Sequence, residues 1–292
     1  MPLTRRALCL LLAVAGPAAA DVTVYAAGDI ADCRRVAPAY SRAAATAELV
    51  AAGLANDPAA AVLTLGDNVY ERGTAQEFAS CYAPTWGRFK QRTYPSPGNH
   101  EHATSGASGY FGYFGTAAGP GHYAFTLGSW RLISLDSSVS GAARARQLAW
   151  LKQELEQHPS HCTLAYWHHP LYSSGGHPHN TVMQEAWRLL YRAGAELVLS
   201  GHDHDYERFA PQDADGRVDR ARGIRQFVVG TGGAYSTPFL FSQPNSEMRD
   251  GDRTGVLKLV LGEQGYTWEF LEASYDGFPN GQAPDRGAGP CH

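Results

Sequence analysis

The sequence predicts an α/β fold with a sizeable antiparallel element toward the C-terminus. Two observations lead to it. Short apolar runs rich in β-branched and aromatic residues alternate with helix-like stretches through the first two thirds of the chain, and the last third is mostly strand-like. Five extended segments also end in residues that bind metals or move protons, four of them after a glycine. In open α/β sheets the ligand crevice lies outside the carboxyl ends of the strands.

Taken in order, residues 1–20 read as a secretory signal peptide. Arg5 and Arg6 precede an apolar run over 7–16, too short to span a bilayer, and Ala18-Ala19-Ala20 is a small-residue cleavage site. Thr4-Arg5-Arg6 also resembles a twin-arginine export signal; an ordinary basic start is the alternative. Strands are expected over 22–26, 61–65, 122–127, 130–135, 162–167, 196–199, 225–229, 255–261 and 266–271, each of strand length and most bounded by Gly, Pro, Asp or Ser. Residues 93–97 are a weaker extended segment. Helices are expected over 40–55, 75–82, 145–157 and 182–193. Residues 105–121 read as an ordered loop, and 277–290 as a loose Gly/Pro tail tied down by Cys291. No repeat or linker divides the chain, so 21–292 is expected to form one domain.

Composition excludes some partners. Lys and Arg number 24 against 28 Asp and Glu, a formal charge of −4, with no long basic run, so no nucleic acid held by charge is expected. No second apolar segment approaches membrane length. Cys9 leaves with the signal; Cys33, Cys81, Cys162 and Cys291 remain, enough for one or two disulfides in any of three pairings. None lies in a CxxC pair, which disfavours a thiolate zinc site.

The polar residues after the strands form a pattern. Residues 22–26 lead into Gly28-Asp29, 61–65 into Gly66-Asp67-Asn68-Val69-Tyr70, and 93–97 into Gly98-Asn99-His100-Glu101. Residues 162–167 lead into His168-His169-Pro170, and 196–199 into Gly201-His202-Asp203-His204. His202 and His204, two apart in an extended segment, share a side. Asp29 and Asp67 offer hard carboxylate oxygens and Asn99 a neutral amide oxygen. Each signal alone has an ordinary reading: Gly-Asp as a turn, His-His-Pro as a structural histidine. Together they are too many ligands for one ion, and suit two ions roughly 3.5–4 Å apart sharing a carboxylate.

With these motifs the sequence resembles the calcineurin-like metallophosphoesterases, and within them the purple acid phosphatases, from about Val22 to Phe209. His168-His169-Pro170-Leu171-Tyr172 and the continuation Asp205-Tyr206-Glu207-Arg208 belong to the same likeness. The resemblance implies a four-layer α-β-β-α sandwich with a dinuclear metal site at the carboxyl ends of strands. It implies Asp29, Tyr70 and His204 on the first metal, Asp67 bridging, and Asn99, His168 and His202 on the second. The wider superfamily usually has a histidine two residues after the first aspartate; here that position is Ala31, where purple acid phosphatases usually have glycine. Tyr70 fills that gap. A phenolate is a hard anionic ligand, which favours iron(III) there, with iron, zinc or manganese at the second position.

The activity implied is that of an exported, periplasmic or extracellular acid phosphatase acting on small phosphomonoesters by in-line attack of a metal-bound hydroxide. His100 is expected to contact the transition state. His177 is the expected proton donor, with His179 as runner-up and Gly175-Gly176 letting that loop bend over the substrate. His169 is expected beside the metals without binding them, Glu101 to orient His100 or form a salt bridge, Asp203 to cap or face solvent, and Arg208 to make a structural ion pair. Gly230-Thr231-Gly232-Gly233 resembles a glycine-rich turn of the family. Two alternatives stand beside this reading: a phosphodiesterase or nucleotidase using the same centre, and a non-catalytic metal-binding protein on this fold.

Overall fold

A computed structural model describes residues 20–177, 180–273 and 285–292. The strands are β1 (Val22–Ala27), β2 (Ala61–Leu65), β3 (Thr93–Ser96), β4 (Tyr123–Leu127), β5 (Trp130–Ser134), β6 (Cys162–Tyr166) and β7 (Leu197–Ser200), then β8 (Tyr206–Phe209), β9 (Arg225–Val229), β10 (Ser246–Asp250), β11 (Gly255–Gly262), β12 (Gly265–Glu272) and β13 (Arg286–Pro290). The helices are α1 (Arg42–Asn56), the short α2 (Ala75–Glu77) and α3 (Asn99–His102), then α4 (Ser108–Phe114), α5 (Gly141–Gln157) and α6 (Gln184–Arg192). One sheet runs β13-β12-β11-β1-β2-β3 and the other β10-β8-β9-β7-β6-β5-β4.

The layering follows from apolar residues on both faces of the central strands. Leu164 and Tyr166 of β6 and Leu197 and Leu199 of β7 join Val24, Ala26, Leu63 and Leu65 of the first sheet in one core. Their neighbours Ala165 and Val198 pack instead with Leu151 of α5 and with Trp187 and Leu190 of α6. Ala47, Val50 and Leu54 of α1 join the first core from its far side. Strands buried on both faces need helices outside them, and the result is the α-β-β-α sandwich expected.

Three local expectations are corrected and two strands are added. The stretch 105–121 contains α4, whose Tyr110 and Phe114, one turn apart, are both buried; its glycines mask the helical period. The 75–82 helix shortens to α2 and a wider turn over Phe78–Tyr82. The supposed loose tail ends in β13, antiparallel to β12; residues 274–284 lie outside the described residues. β8 and β10 carry charged residues and gave no apolar signal, yet pair with each other in the second sheet. The disulfides join Cys33 to Cys81 and Cys162 to Cys291, with Cα separations of 5.8 Å and 5.5 Å.

The topology sends the ligand-bearing loops to one edge. β1, β2 and β3 are parallel, as are β5, β6, β7 and β9. At their carboxyl ends the sheets are stitched together by hydrogen bonds from the Gly28 amide to the Val229 carbonyl and from the Gly232 amide to the Gly28 carbonyl, both 2.9 Å.

Candidate metal centre

Each chain leaves its strand by a sharp turn. Asp29, Asp67 and His202 adopt left-handed backbone conformations, with φ of 58°, 47° and 73°. Such residues cost of order 1–3 kcal/mol each and persist where the surroundings hold them. The bends let Asp29 accept the His202 amide and Asp67 accept the His100 amide, both at 2.8 Å. Neighbouring glycines leave room: a Cβ at Gly98 would fall on the Asp67 carboxylate, and one at Gly201 on the Asp29 carboxylate.

All seven expected ligands come together. The Tyr70 hydroxyl donates to Asp29 Oδ1 at 2.9 Å and lies 3.1 Å from His204 Nε2, which is 3.3 Å from Asp29 Oδ1. His168 Nε2 lies 3.0 Å from Asn99 Oδ1 and 3.3 Å from His202 Nδ1. Asp67 Oδ2 sits between the groups, 3.5 Å from the Tyr70 hydroxyl and 3.1 Å from His168 Nε2. Ala31 is fully buried and bridges to Val69, and its carbonyl accepts the Tyr70 amide at 3.0 Å, which seats the phenol. Main-chain carbonyls set two imidazoles: His168 Nδ1–H donates to Leu65 at 2.9 Å and His204 Nδ1–H to Tyr235 at 2.6 Å. In the neutral rings this aims each Nε2 lone pair into the cluster.

The charges are unbalanced without cations. Burial alone would depress the His168 imidazole, but the Asp67 and Asp29 carboxylates override it and lift it to about 10. Burial likewise opposes ionisation of Asp67, and is outweighed by His168 and His100, so its carboxyl is held below the ordinary range. Burial and the two aspartates push the Tyr70 phenol well up, so without metal it stays protonated. His202 is depressed by burial and by His168. Among the described residues, Asp29 and Asp67 have only histidines as ion-pair partners. Buried carboxylates facing imidazoles that must otherwise be protonated, with a phenol and an amide oxygen alongside, fit bound metal ions. The nearest donor atoms of Asp29, Asp67 and His168 lie within 4.8 Å of one another.

The expected proton carriers stand around this cluster. His100 packs on the Tyr70 ring at 4.5 Å, donates from Nδ1 to the Glu71 carbonyl at 2.5 Å, and holds Nε2 3.7 Å from Asp67. His177 lies against the His202 ring at 4.2 Å. His179 lies outside the described residues. His169 packs on His202 at 4.3 Å, with Nδ1 2.9 Å from the Ser137 hydroxyl.

Two carboxylates depart from part of their expectation. Of the two roles expected for Asp203 it takes the cap and does not face solvent: it is 1% exposed and accepts the His177 amide at 3.0 Å, the Ser173 hydroxyl at 2.5 Å and His177 Nδ1 at 2.8 Å. Its alternation away from the ligand histidines points it into the protein, under the 173–177 loop. Glu101 does not orient His100. It is fully buried and accepts the amides of Gly98 at 2.8 Å and Asn68 at 2.9 Å; burial and the Asp67 charge raise it to about 7. Arg208 pairs with Asp285 and Glu247, as a structural arginine would.

Known proteins resemble this chain in sequence and in fold. A family model for calcineurin-like phosphoesterases matches residues 22–206. Purple acid phosphatase 15 of Arabidopsis thaliana is 28% identical over 187 residues, covering 50% of this chain and 35% of that protein. An acid phosphatase of Aspergillus ficuum is 33% identical over 148 residues, covering 47% of this chain and 24% of that protein. The matches thus span about a third or less of these curated relatives. Among solved structures, purple acid phosphatase PPD1 from yellow lupin seeds gives a TM-score of 0.69 at 18% identity, over 92% of this chain and 54% of that one. GAP50, the anchor in the inner membrane complex of Plasmodium, gives 0.67 at 15% identity, over 93% and 89%.

Proposed function

The chain belongs to the calcineurin-like phosphoesterase family, and from that membership we propose that it is an exported phosphatase of the purple acid phosphatase type, hydrolysing phosphomonoesters at two metal ions. The position of Asp67 Oδ2, 3.5 Å from the Tyr70 hydroxyl and 3.1 Å from His168 Nε2, carries the reading. It supports a pair of ions on either side of Asp67: Asp29, Tyr70 and His204 would hold the first, and Asn99, His168 and His202 the second. The carboxylate and phenol oxygens of the first set favour iron(III) there; the second set suits iron, zinc or manganese. Export is supported by the signal-like start and by two disulfides, which persist in oxidising compartments.

Bound cations supply Lewis acidity and lower the pKa of water at the site. The chain supplies position and protons. His100, with Nδ1 committed to Glu71, presents Nε2 beside Asp67 to the phosphoryl oxygens in the transition state. His177, with Nδ1 held by Asp203, gives a proton from Nε2 to the leaving alkoxide. Asp203 orients that ring.

After reconstitution with iron and zinc or manganese, we expect turnover of p-nitrophenyl phosphate well above that of bis-p-nitrophenyl phosphate, and a visible tyrosinate-to-iron band lost in Tyr70→Phe. Preference for the diester would move the assignment to a phosphodiesterase. No hydrolysis of either would overturn the enzymatic reading in favour of a non-catalytic metal protein. A colourless active enzyme would remove only the iron assignment.

A further inference from the structure

Beside the second half of the cluster lies an open cleft of about 660 Å³ that the mechanism above does not use. Asn99 and His169 line its side toward the cluster, and His102, Ser138, Arg144 and Asn180 are among the residues that line the rest. No Asp or Glu lines it. Arg144 Nε donates to the Val139 carbonyl at 3.0 Å, and the guanidinium makes no ion pair among the described residues. A guanidinium lining a cleft with two free terminal nitrogens is shaped for a carboxylate or phosphate. The Ser138 hydroxyl is buried and has no hydrogen-bond partner among the described residues.

These groups are held in place from behind. Asp136, 3% exposed, accepts the Ser138 amide at 2.8 Å and lies 2.8 Å from His102 Nε2. Its own backbone is clamped by the Gln147 side chain, which accepts the Asp136 amide and donates to its carbonyl, both at 2.9 Å. Asp136 is thus spent on His102 and Ser138, and the Arg144 charge is left without a carboxylate.

We propose that this cleft binds a second anionic group of the substrate, so that the preferred phosphomonoesters carry a carboxylate or a second phosphate near the scissile ester. Arg144 is the specificity-determining residue, with Ser138 as a further donor. The inference rests on the phosphatase reading above and deepens it.

Matched substrates test it. We expect kcat/KM to be about tenfold or more higher for 3-phosphoglycerate than for glycerol 3-phosphate, or for fructose 1,6-bisphosphate than for fructose 6-phosphate, the size of one charge-assisted contact. The pair that responds tells carboxylate from phosphate. Arg144→Ala should bring the ratio to near one and Arg144→Lys should restore part of it, with unchanged melting temperatures showing that both variants fold. A binding readout free of turnover accompanies this: propane-1,3-diphosphonate should raise the melting temperature of the metal-loaded protein more than propylphosphonate does, and Arg144→Ala should erase the difference. Ratios near one in the wild type, or a preference that survives Arg144→Ala, would overturn the proposal. If no monoester is hydrolysed but the diphosphonate preference holds and depends on Arg144, the anion cleft stands and the phosphatase reading falls.

Discussion

The two sides of Asp67 offer a cation different things. On one side stand a second carboxylate, Asp29, a phenol, Tyr70, and one imidazole, His204. On the other stand a neutral amide, Asn99, and two imidazoles, His168 and His202. The first set can carry two negative charges of its own and the second none. On the proposed assignment the cluster is therefore two unlike metal positions joined by one carboxylate oxygen, and the sequence change that makes them unlike is small. Ala31 brings no imidazole to the first side, and its main chain seats Tyr70 instead.

Substitutions can break that contrast in order of expected effect. Asp67→Asn removes the oxygen common to both sides and should lower kcat by on the order of 10³-fold, as loss of a central electrostatic group does; near-normal turnover would deny the bridge. His177→Ala should slow alkyl phosphates by about 10²-fold or more, the span of general acid catalysis, while p-nitrophenyl phosphate, whose leaving group needs no proton, changes little. Equal losses on both would remove His177 as the donor. Asp203→Asn should give the same leaving-group dependence more weakly, about tenfold, because it acts only through the His177 ring.

A buried carboxylate far from the cluster sharpens the contrast. Glu196, 2% exposed, accepts the amides of Thr163 at 2.6 Å and His292 at 3.3 Å, and burial raises it to about 7 from 4.5. Between those values the folded chain binds the proton that the unfolded chain has released. Native stability therefore falls as pH rises through that window, and the loss is complete above it. Glu196→Gln should flatten this decline and raise the melting temperature at pH 8 by on the order of a few degrees. An unchanged slope would mean that Glu196 ionises freely in the folded protein.

The α/β class and the gathering of polar side chains at strand ends are legible in local patterns, apolar runs of strand length of which five extended segments end in polar residues, four after a glycine; the four-layer sandwich and the set of seven side chains come from the family resemblance that those motifs carry. What was not legible depends on partners distant in sequence. β13, Arg-Gly-Ala-Gly-Pro, has no apolar pattern and forms because the edge of β12 offers it main-chain bonds. For Asp203, alternation along 202–204 leaves a cap and a solvent position both open, and only the 173–177 loop that covers it decides for the cap. The Tyr235 carbonyl that fixes His204 carries no side-chain signal at all. Arg144 sits in the first turn of a helix, where nothing in its neighbours foretells the cleft beside Asn99.

Metal content tests the shared carboxylate most directly. Reconstituted wild-type protein, freed of loose ions by gel filtration and analysed by atomic emission, should hold two ions per chain, and folded Asp67→Asn should hold about one. A single ion in the wild type, or two retained after Asp67→Asn, would contradict a cluster built around Asp67.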